Sequence, residues 1–275
     1  MQHAAPLPIL RLMGAALHDV FGNLTGLVRI AWPYYALAGL FALLGLYLAR
    51  GDLLGDAVAA IAGGGTAQLI LSLAGLACIV AWQRHVLLAT PLRGVAPLNM
   101  RVLRYATWSF LLTLLCSLPI IAAGLLGFAT DLIWHNPADG APFSIGMPGI
   151  GLLALGALAT LALFVRLNLV LPAISADDRA TGLGRSWALT RGHGLRLFGL
   201  FLLLLLGLWL LGALAGMLDA LLRAIADSSA EADGAPADVP LMLGAALDSA
   251  LDLVSAMLGA SLTAGVYRHL AGPPA

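Results

Sequence analysis

Charge is scarce in this sequence, and lysine is absent. Only 10% of the 275 residues are charged, against about 25% in ordinary soluble domains. The mean hydropathy is +0.96, which leaves too few polar side chains to cover a soluble globule. The apolar surface is therefore predicted to face lipid. Because no basic stripe with interleaved aromatic residues occurs, binding to nucleic acid is not expected.

Cysteines and catalytic motifs are also few. Cys78 and Cys116 each lie inside an apolar segment and are predicted to be small buried side chains, which excludes a disulfide framework and a CxxC metal site. No GxSxG, no HExxH and no paired-Asp motif of a phosphatidyl transferase is present. His85, His193 and His269 lie among arginines at predicted helix ends, where a structural role is the default. The sequence therefore predicts no catalytic residue, no metal and no cofactor.

Long apolar runs dominate what is present. A membrane span needs about 20 predominantly apolar residues, and six segments qualify. They cover residues 27–48, 66–88, 105–128, 150–171, 197–218 and 241–267. The chain is therefore predicted to be all-α: a polytopic transmembrane helix bundle of about six spans, forming a single integral membrane domain over residues 1–275.

The arginines set the orientation of these spans. Twelve of the 14 basic residues fall on one side of the predicted membrane: Arg11, Arg29, Arg84, Arg93, Arg101, Arg104, Arg166, Arg179, Arg185, Arg191, Arg196 and Arg268. Only Arg50 and Arg223 fall on the other side. The positive-inside rule places the richer side in the cytoplasm, so six spans put both termini there. The Ala-, Leu-, Gly- and Arg-rich composition indicates a bacterial genome, and hence the inner membrane.

Two further helices are predicted beside the membrane. Within the N-terminal segment 1–26, residues 7–21 have the amphipathic pattern of an interfacial helix. A short cytoplasmic helix is expected at about 179–190, between spans 4 and 5, with Asp177 and Asp178 capping its start. Pro172 is expected to end the fourth span. The outer loops 135–148 and 226–240 are rich in Pro, Gly, Ala and Asp, so they are predicted to be flexible connections.

Asp248 and Asp252 are candidate ligands for an ion. They lie four residues apart and so share one helix face, and ionisable groups inside a span are costly and often functional. One interpretation is a cation or proton site. The other is that the sixth helix protrudes outward, which leaves both carboxylates at or near the outer interface.

Arginine residues supply the remaining polar candidates. Arg166 and Asn168, near the inner end of the fourth span, are candidates for holding a lipid phosphate. The alternatives are an arginine that snorkels to the interface or one that pairs with Asp177 or Asp178. The cytoplasmic arginines are candidate sites for anionic lipid headgroups, although topology alone also demands them. These are Arg84, Arg101, Arg104, Arg185 and Arg191.

Small residues indicate close helix packing. Gly212 and Gly216 form a GxxxG motif in the fifth span, and Gly156 and Thr160 have the same spacing in the fourth. Such spacings let helix backbones approach closely. The partner of the GxxxG face is either another span of this chain, a second copy or another membrane protein. The lipid bilayer itself is also an expected partner of such a sequence.

Three short motifs resemble those of known bacterial membrane proteins. Ala81-Trp82-Gln83-Arg84-His85-Val86-Leu87-Leu88 resembles an Ala-Trp-His-Arg-x-x-Leu-Leu signature that follows the second span of some six-helix proteins. A second signature is similar to Val165-Arg166-Leu167 with Leu171-Pro172-Ala173, followed by Arg185-Ser186-Trp187-x-Leu189-Thr190-x-Gly192. The ending Ala264-x-x-Tyr267-Arg268-x-Leu270 is also similar.

These likenesses extend over most of the chain. They resemble the group around the membrane domain of glycerophosphodiester phosphodiesterases and the YciC-like membrane proteins. The resemblance implies six helices in the inner membrane but brings no reaction with it, because the soluble catalytic domain of the phosphodiesterases has no counterpart here. Gln83 stands where the first signature often has His.

Three classes of function fit the sequence. The first, which we expect, is a noncatalytic membrane module: a scaffold, an accessory subunit or a lipid-interacting protein. The second is a small transporter or channel that uses Asp248 and Asp252. The third is a lipid-modifying enzyme that uses Arg166 and the cytoplasmic histidines, although no nucleophile and base are visibly arranged in the sequence.

Overall fold

The computed structural model describes residues 8–50, 65–92, 94, 96–134, 147–178, 180–233 and 238–272. The described residues contain helices and no strand, so the all-α prediction is confirmed for this part of the chain. The helices are α1 (Ile9–Gly22), α2 (Leu24–Arg50), α3 (Thr66–Leu88), α4 (Met100–Trp134), α5 (Met147–Leu167), α6 (Val170–Ser175), α7 (Leu183–Leu189), α8 (Gly194–Asp233) and α9 (Asp238–Ala271).

Five helical segments of the described chain are long and apolar enough to cross a membrane. They are Thr66–Leu88, Met100–Thr130, Pro148–Ser175, Gly194–Leu221 and Asp248–Ala271. Each contains one of the predicted spans or most of it. Many of their large apolar side chains are exposed, including Phe110 and Trp209, both 68% exposed. Exposure of this kind suits a lipid-facing surface, because lipid tails are as apolar as the side chains themselves.

The first predicted span, 27–48, falls inside α2, which has 27 residues. This helix is long enough to cross a bilayer at about 1.5 Å per residue, but it is not one of the five segments. The described residues thus support five of the six predicted spans.

Helices continue beyond several predicted span ends. α8 has 40 residues and runs to Asp233, and α9 begins at Asp238. The prediction of a flexible loop over 226–240 is therefore wrong outside residues 234–237, which lie outside the described residues. Alanine is the best helix former, and Pro240 lies in the first turn of α9, where proline is tolerated. The predicted loop 135–148 lies mostly outside the described residues, as do Arg93 and Arg179.

The fourth span is interrupted rather than ended by Pro172. α5 ends at Leu167, and helical structure resumes in α6, which contains Pro172 and is buried along its whole length. Proline lacks an N–H and its ring clashes with the carbonyl four residues earlier, here that of Asn168. That carbonyl instead accepts a bond from the N–H of Leu171 at 3.1 Å. The chain therefore turns at residues 168–169 without leaving the bundle.

Glycine allows a close contact between α4 and α5. A Cβ on Gly156 of α5 would lie 2.5 Å from the Cβ of Ala123 and 2.9 Å from the carbonyl oxygen of Pro119, both on α4. The prediction that Gly156 permits close packing is confirmed. Thr160, one turn later, has a buried hydroxyl oxygen without a hydrogen-bond partner among the described residues.

α1 packs against the C-terminal half of α9. Ala16 and Val20 of α1 are buried, while Leu10 and Phe21 stay exposed. Leu12 reaches within 3.4 Å of the position that a Cβ of Gly265 on α9 would occupy. An amphipathic helix is thus present where the sequence predicts one.

Candidate functional site

The residues of the three sequence motifs meet at one end of the bundle. The last turns of α3 and α9 lie against α6, and their polar side chains bond to one another across the core. Trp82 Nε1 donates to Ser261 Oγ at 2.7 Å, and both residues are fully or almost fully buried. Buried polar groups need such partners because an unpaired one is costly. This end of the molecule is the candidate functional site.

Gln83 links three helices at this site. Ser175 Oγ of α6 donates to Gln83 Oε1 at 2.6 Å, and Gln83 Nε2 donates to Thr263 Oγ1 of α9 at 3.3 Å. Gln83 is 1% exposed. An amide can donate and accept at once, so it joins the hydroxyl groups of two other helices, each of which also bonds to a carbonyl of its own helix. Its role here is structural.

Two arginines from different helices hold one carboxylate. Arg101, in the first turn of α4, donates to Asp177 from Nε at 2.9 Å and from Nη2 at 2.6 Å. Arg84, at the end of α3, donates from Nη1 to Asp177 at 3.0 Å and to the carbonyl of Ser175 at 2.9 Å. Hydrogen bonds from Arg101, and then from Arg84, hold the pKa of Asp177 below its usual value. The carboxylate therefore stays ionised at neutral pH.

Asp177 has the backbone of a turn residue. Its φ is +61°, a left-handed conformation that Asp and Asn tolerate better than other non-glycine residues. This conformation reverses the chain directly after α6 and points the carboxylate at α3 and α4. The predicted capping of a helix by Asp177 is wrong, because its carboxylate pairs with the two arginines.

Asp178 also serves a different purpose from the predicted helix cap. Its Oδ2 accepts bonds from Tyr267 at 2.5 Å and from Thr181 at 2.6 Å. Partial burial raises the pKa of Asp178, but the hydrogen bonds from Thr181 and Tyr267 lower it by more. The pKa of Asp178 is therefore below its usual value. The short helix is α7, shorter than predicted, and its cap position is Gly182, without a side-chain bond. The carboxylate instead ties the α6–α7 turn to α9.

Arg166 stacks on an aromatic ring rather than pairing with an acid. Its guanidinium carbon lies 4.4 Å from the centroid of the Trp187 ring on α7. Ser186 Oγ donates to the Arg166 carbonyl at 2.6 Å, and Arg166 Nη2 lies 3.0 Å from where a Cβ of Gly194 would be. The alternative pairing with Asp177 or Asp178 is wrong, because both carboxylates are held elsewhere.

Two buried polar atoms lie in the neighbouring sequence. Asn168 and His193 are 6% and 7% exposed. Asn168 Oδ1 and His193 Nδ1 have no hydrogen-bond partner among the described residues. The structure therefore places Arg166 and Asn168 near the same helix break but gives no contact that joins their side chains.

The other predicted headgroup residues lie on the surface of the same region. Arg104, Arg185 and Arg191 are exposed. Arg185 contributes to lowering the pKa of Asp178. Arg104 and Arg191 form no ion pair with any described residue. Their charges are thus free to meet solvent or lipid headgroups.

Asp248 and Asp252 lie away from this cluster, near the start of the apolar part of α9. Both are exposed, whereas functional carboxylates in spans usually face the bundle interior or a water-filled cavity. Ser249, between them, accepts a bond at its carbonyl from the Tyr35 hydroxyl at 2.9 Å. Within the described residues, no group of three or more metal-ligating side chains occurs.

Gly212 and Gly216 lie on an open face of α8. Both are exposed, and a Cβ at either position would meet nothing within 4 Å. They therefore do not pack another described helix of this chain. Close packing on α4 uses Gly156 instead.

A pocket of about 200 Å³ opens beside the two arginines that hold Asp177. Its apolar wall comes from α2, α3 and the segment that leads to α4, and its polar groups include Arg84, Arg101 and Asn99. Asn99 Oδ1 accepts the N–H groups of Arg101 and Val102 at 3.0 and 3.2 Å, so it caps α4. The lining residues are Ile30, Ala77, Val80, Ala81, Arg84, Thr90, Pro91, Leu92, Ala96, Pro97, Asn99 and Arg101.

Two features of the site were not predicted from the sequence: the role of the Asp177-Asp178 pair and the presence of the pocket. One signal was available: these are two of only three acidic residues on the arginine-rich side, the third being Asp19. Adjacent carboxylates among many arginines predict ion pairs rather than a helix cap. The pocket had no comparable signal, because its walls come from segments far apart in sequence.

Comparison with known families gives one match for the chain. Residues 36–270 match the family described as Domain of unknown function (DUF7847). The chain belongs to this family. No curated protein and no solved structure matches it.

The DUF7847 region contains the whole polar cluster but not all of the pocket. Arg84, Arg101, Asp177 and Tyr267 lie within it, whereas Ile30 and all of α1 precede it. The resemblance to the YciC-like and phosphodiesterase membrane proteins stays a prediction.

Proposed function

We propose that this protein is a noncatalytic, six-span protein of the bacterial inner membrane that binds anionic lipid headgroups at its cytoplasmic end. In this arrangement α2 is the first span, and both termini are cytoplasmic. α1 lies at the membrane interface, and α7 lies in the cytoplasm between spans 4 and 5. Support comes from the five apolar helical segments and from the twelve arginines on one predicted side, which the positive-inside rule assigns to the cytoplasm.

One observation carries the lipid-binding part of the proposal. Arg104 and Arg191 are exposed and form no ion pair among the described residues. They belong to the same end of the bundle as the hydrogen-bonded core around Gln83. Each arginine near an anionic membrane surface contributes about 1 kcal/mol of attraction. A rigid core that presents unpaired arginines at headgroup level suits a lipid-interacting module.

The proposal is tested by lipid enrichment in nanodiscs. The purified protein is assembled with a mixture of phosphatidylglycerol and phosphatidylcholine, and the lipids retained around it are measured by mass spectrometry. We expect phosphatidylglycerol to be enriched over the bulk mixture and the enrichment to fall in the double variant Arg104→Gln/Arg191→Gln. High salt should weaken it too, because exposed charges are screened within about 8 Å at physiological ionic strength.

A double variant at the other end of the bundle is the matched control. Arg223 lies 29 positions after the start of α8, or about 44 Å along the helix at 1.5 Å per residue. Arg50 ends α2. Arg50→Gln/Arg223→Gln removes the same charge and should leave the enrichment unchanged. Equal loss in both double variants, or no enrichment in the native protein, would contradict the proposal.

A further inference from the structure

The pocket beside Arg84 and Arg101 combines an apolar wall with a cationic edge. Ala77, Val80 and Ala81 of α3 form one side of it, and Arg84 follows them one turn later on the same helix. At about 200 Å³ it is smaller than the roughly 300–1,000 Å³ typical of drug-sized ligands. It therefore has room for one small group and not for a complete lipid.

The charges at this edge favour an anion. Two guanidinium groups face one carboxylate, that of Asp177, which leaves a net charge of +1. Asp177 occupies Nε and Nη2 of Arg101 and Nη1 of Arg84. Arg84 Nε and Nη2 and Arg101 Nη1 have no acceptor among the described residues. N–H groups of arginine that remain available are suited to phosphate oxygens.

The start of α4 adds positive charge at the same edge of the pocket. A helix N-terminus carries partial positive charge and favours anions. The first turn of α4 contains Arg101 and no acidic residue that would neutralise this charge. Asp177 offsets part of this charge from another segment. A second anion in the pocket would offset the rest.

We propose that this pocket binds a single phosphate ester of net negative charge, with Arg84 and Arg101 contacting the phosphate and the α3 wall contacting the first carbons of the ester. The inference rests on the proposed function, since it names one saturable site within the lipid-binding end of the bundle. The phosphate group has two possible sources, an anionic phospholipid or a soluble phosphate compound. The apolar wall favours the phospholipid.

Two variants test the pocket while keeping Asp177 and the two hydrogen bonds that it accepts from Arg101. Arg84→Gln removes one guanidinium and leaves both hydrogen bonds between Arg101 and Asp177. Ala81→Leu places a larger side chain in the pocket and leaves both arginines. Ala157→Leu on the exposed surface of α5 is the matched control for added apolar bulk.

The experiment is a titration of the full-length protein in mild detergent, followed by native mass spectrometry. The probes are short-chain phosphatidylglycerol, short-chain phosphatidylcholine and inorganic phosphate. We expect one phosphatidylglycerol molecule to bind saturably. Binding should be about tenfold weaker in Arg84→Gln, the size expected for loss of a charge-assisted hydrogen bond, and weaker also in Ala81→Leu, because the larger side chain fills part of the pocket. Ala157→Leu should bind like the native protein.

The remaining outcomes each decide the question. Competition by inorganic phosphate as effective as that by phosphatidylglycerol supports the phosphate site and assigns it to a soluble compound. Equal binding of phosphatidylcholine overturns the proposal, because that headgroup carries no net charge. Native affinity in both pocket variants also overturns it. If the Arg104→Gln/Arg191→Gln variant still loses its enrichment in nanodiscs, the proposed function then stands without the pocket.

Discussion

Arg101 donates two hydrogen bonds to Asp177, and the two residues are 76 positions apart in the sequence. The pair joins the start of α4 to the turn that follows α6. Arg84 brings the end of α3 to the same carboxylate. One acidic side chain therefore ties together three segments at the arginine-rich end of the bundle.

Replacing Asp177 with Asn isolates the contribution of its charge. Both residues tolerate the left-handed backbone at this position, so the variant removes the charge without adding backbone strain. Because the carboxylate is half exposed, we expect a loss of about 1 kcal/mol or less in unfolding free energy at pH 7. Thermal unfolding in detergent measures it, and Asp248→Asn, at an exposed carboxylate without a described partner, should leave the melting temperature unchanged.

The stability that Asp177 contributes should depend on pH in one direction. Its pKa in the folded protein is lowered, so its contribution is complete above the unfolded pKa of about 3.9. It is lost as pH falls through the lower folded value. The melting temperatures of the native protein and Asp177→Asn should therefore converge as the pH falls below the unfolded pKa and through the lower folded value. A difference that stays constant across this range would show that the charge is not its cause.

Removing the Gln83 side chain should destabilise the core. In Gln83→Ala the hydroxyl of Ser175 keeps only its longer bond to the carbonyl of Leu171, and that of Thr263 loses a donor, both in buried surroundings. Each lost hydrogen bond costs about 0.5–1.5 kcal/mol, and the cavity adds to this. Thermal unfolding against Gln68→Ala, which changes an exposed glutamine on the same helix, provides the comparison. Equal melting temperatures for the two variants would argue against the described hydrogen bonds.

Glycine-to-alanine substitutions in α5 should have opposite effects at two positions. Gly156→Ala places a Cβ 2.5 Å from that of Ala123, so α4 and α5 must separate, at a cost of about 1–3 kcal/mol. Gly151→Ala meets nothing within 4 Å and should be neutral or stabilising by up to about 1 kcal/mol through helix propensity. Melting temperatures of the two variants test this. A stable Gly156→Ala variant would mean that the two helices pack less closely.

The open GxxxG face of α8 predicts association with another span. Gly212→Leu/Gly216→Leu should shift the protein toward the monomer if that partner is a second copy, because leucine prevents close backbone approach. Size-exclusion chromatography with light scattering in mild detergent measures the mass. Gly207→Leu is the control, since Gly207 is also open but lies about 140° from Gly212 and about 180° from Gly216 around the helix at 100° per residue. Loss of association in Gly207→Leu alone would place the contact on a different face.

Hydropathy predicted where the helices lie better than where they end. The segment 66–88 matches α3 at both ends, where Gly65 precedes the helix and Ala89 follows it with a left-handed backbone. The segment 197–218 lies inside α8, which continues to Asp233. A count of apolar residues detects the length that suits a bilayer. It does not detect a helix that continues past the bilayer on alanine and short polar residues.

The polar cluster was less accessible to sequence reasoning than the spans. Arg84, Arg101 and Arg166 remain predicted lipid-contacting residues, whereas the alternative pairing of Arg166 with an aspartate and the helix-capping role of both aspartates are wrong. Arg166 stacks on Trp187, and Asp177 accepts hydrogen bonds from Arg84 and Arg101 instead. Charge counting predicts that Asp177 and Asp178 lie on the same side of the membrane as most of the arginines. It does not predict which of them come within hydrogen-bonding distance.

The sequence by itself determined that this protein has apolar helices of membrane-spanning length and an arginine-rich side, because both follow from the composition of single segments. The tertiary structure alone decided that Gln83 meets Ser175 and that Arg101 meets Asp177. Those contacts depend on which helices are neighbours. Leucine and alanine faces look the same whether they are to meet lipid or another helix, so the neighbours are set by the close fit of side chains and by the few buried polar groups that must find a partner.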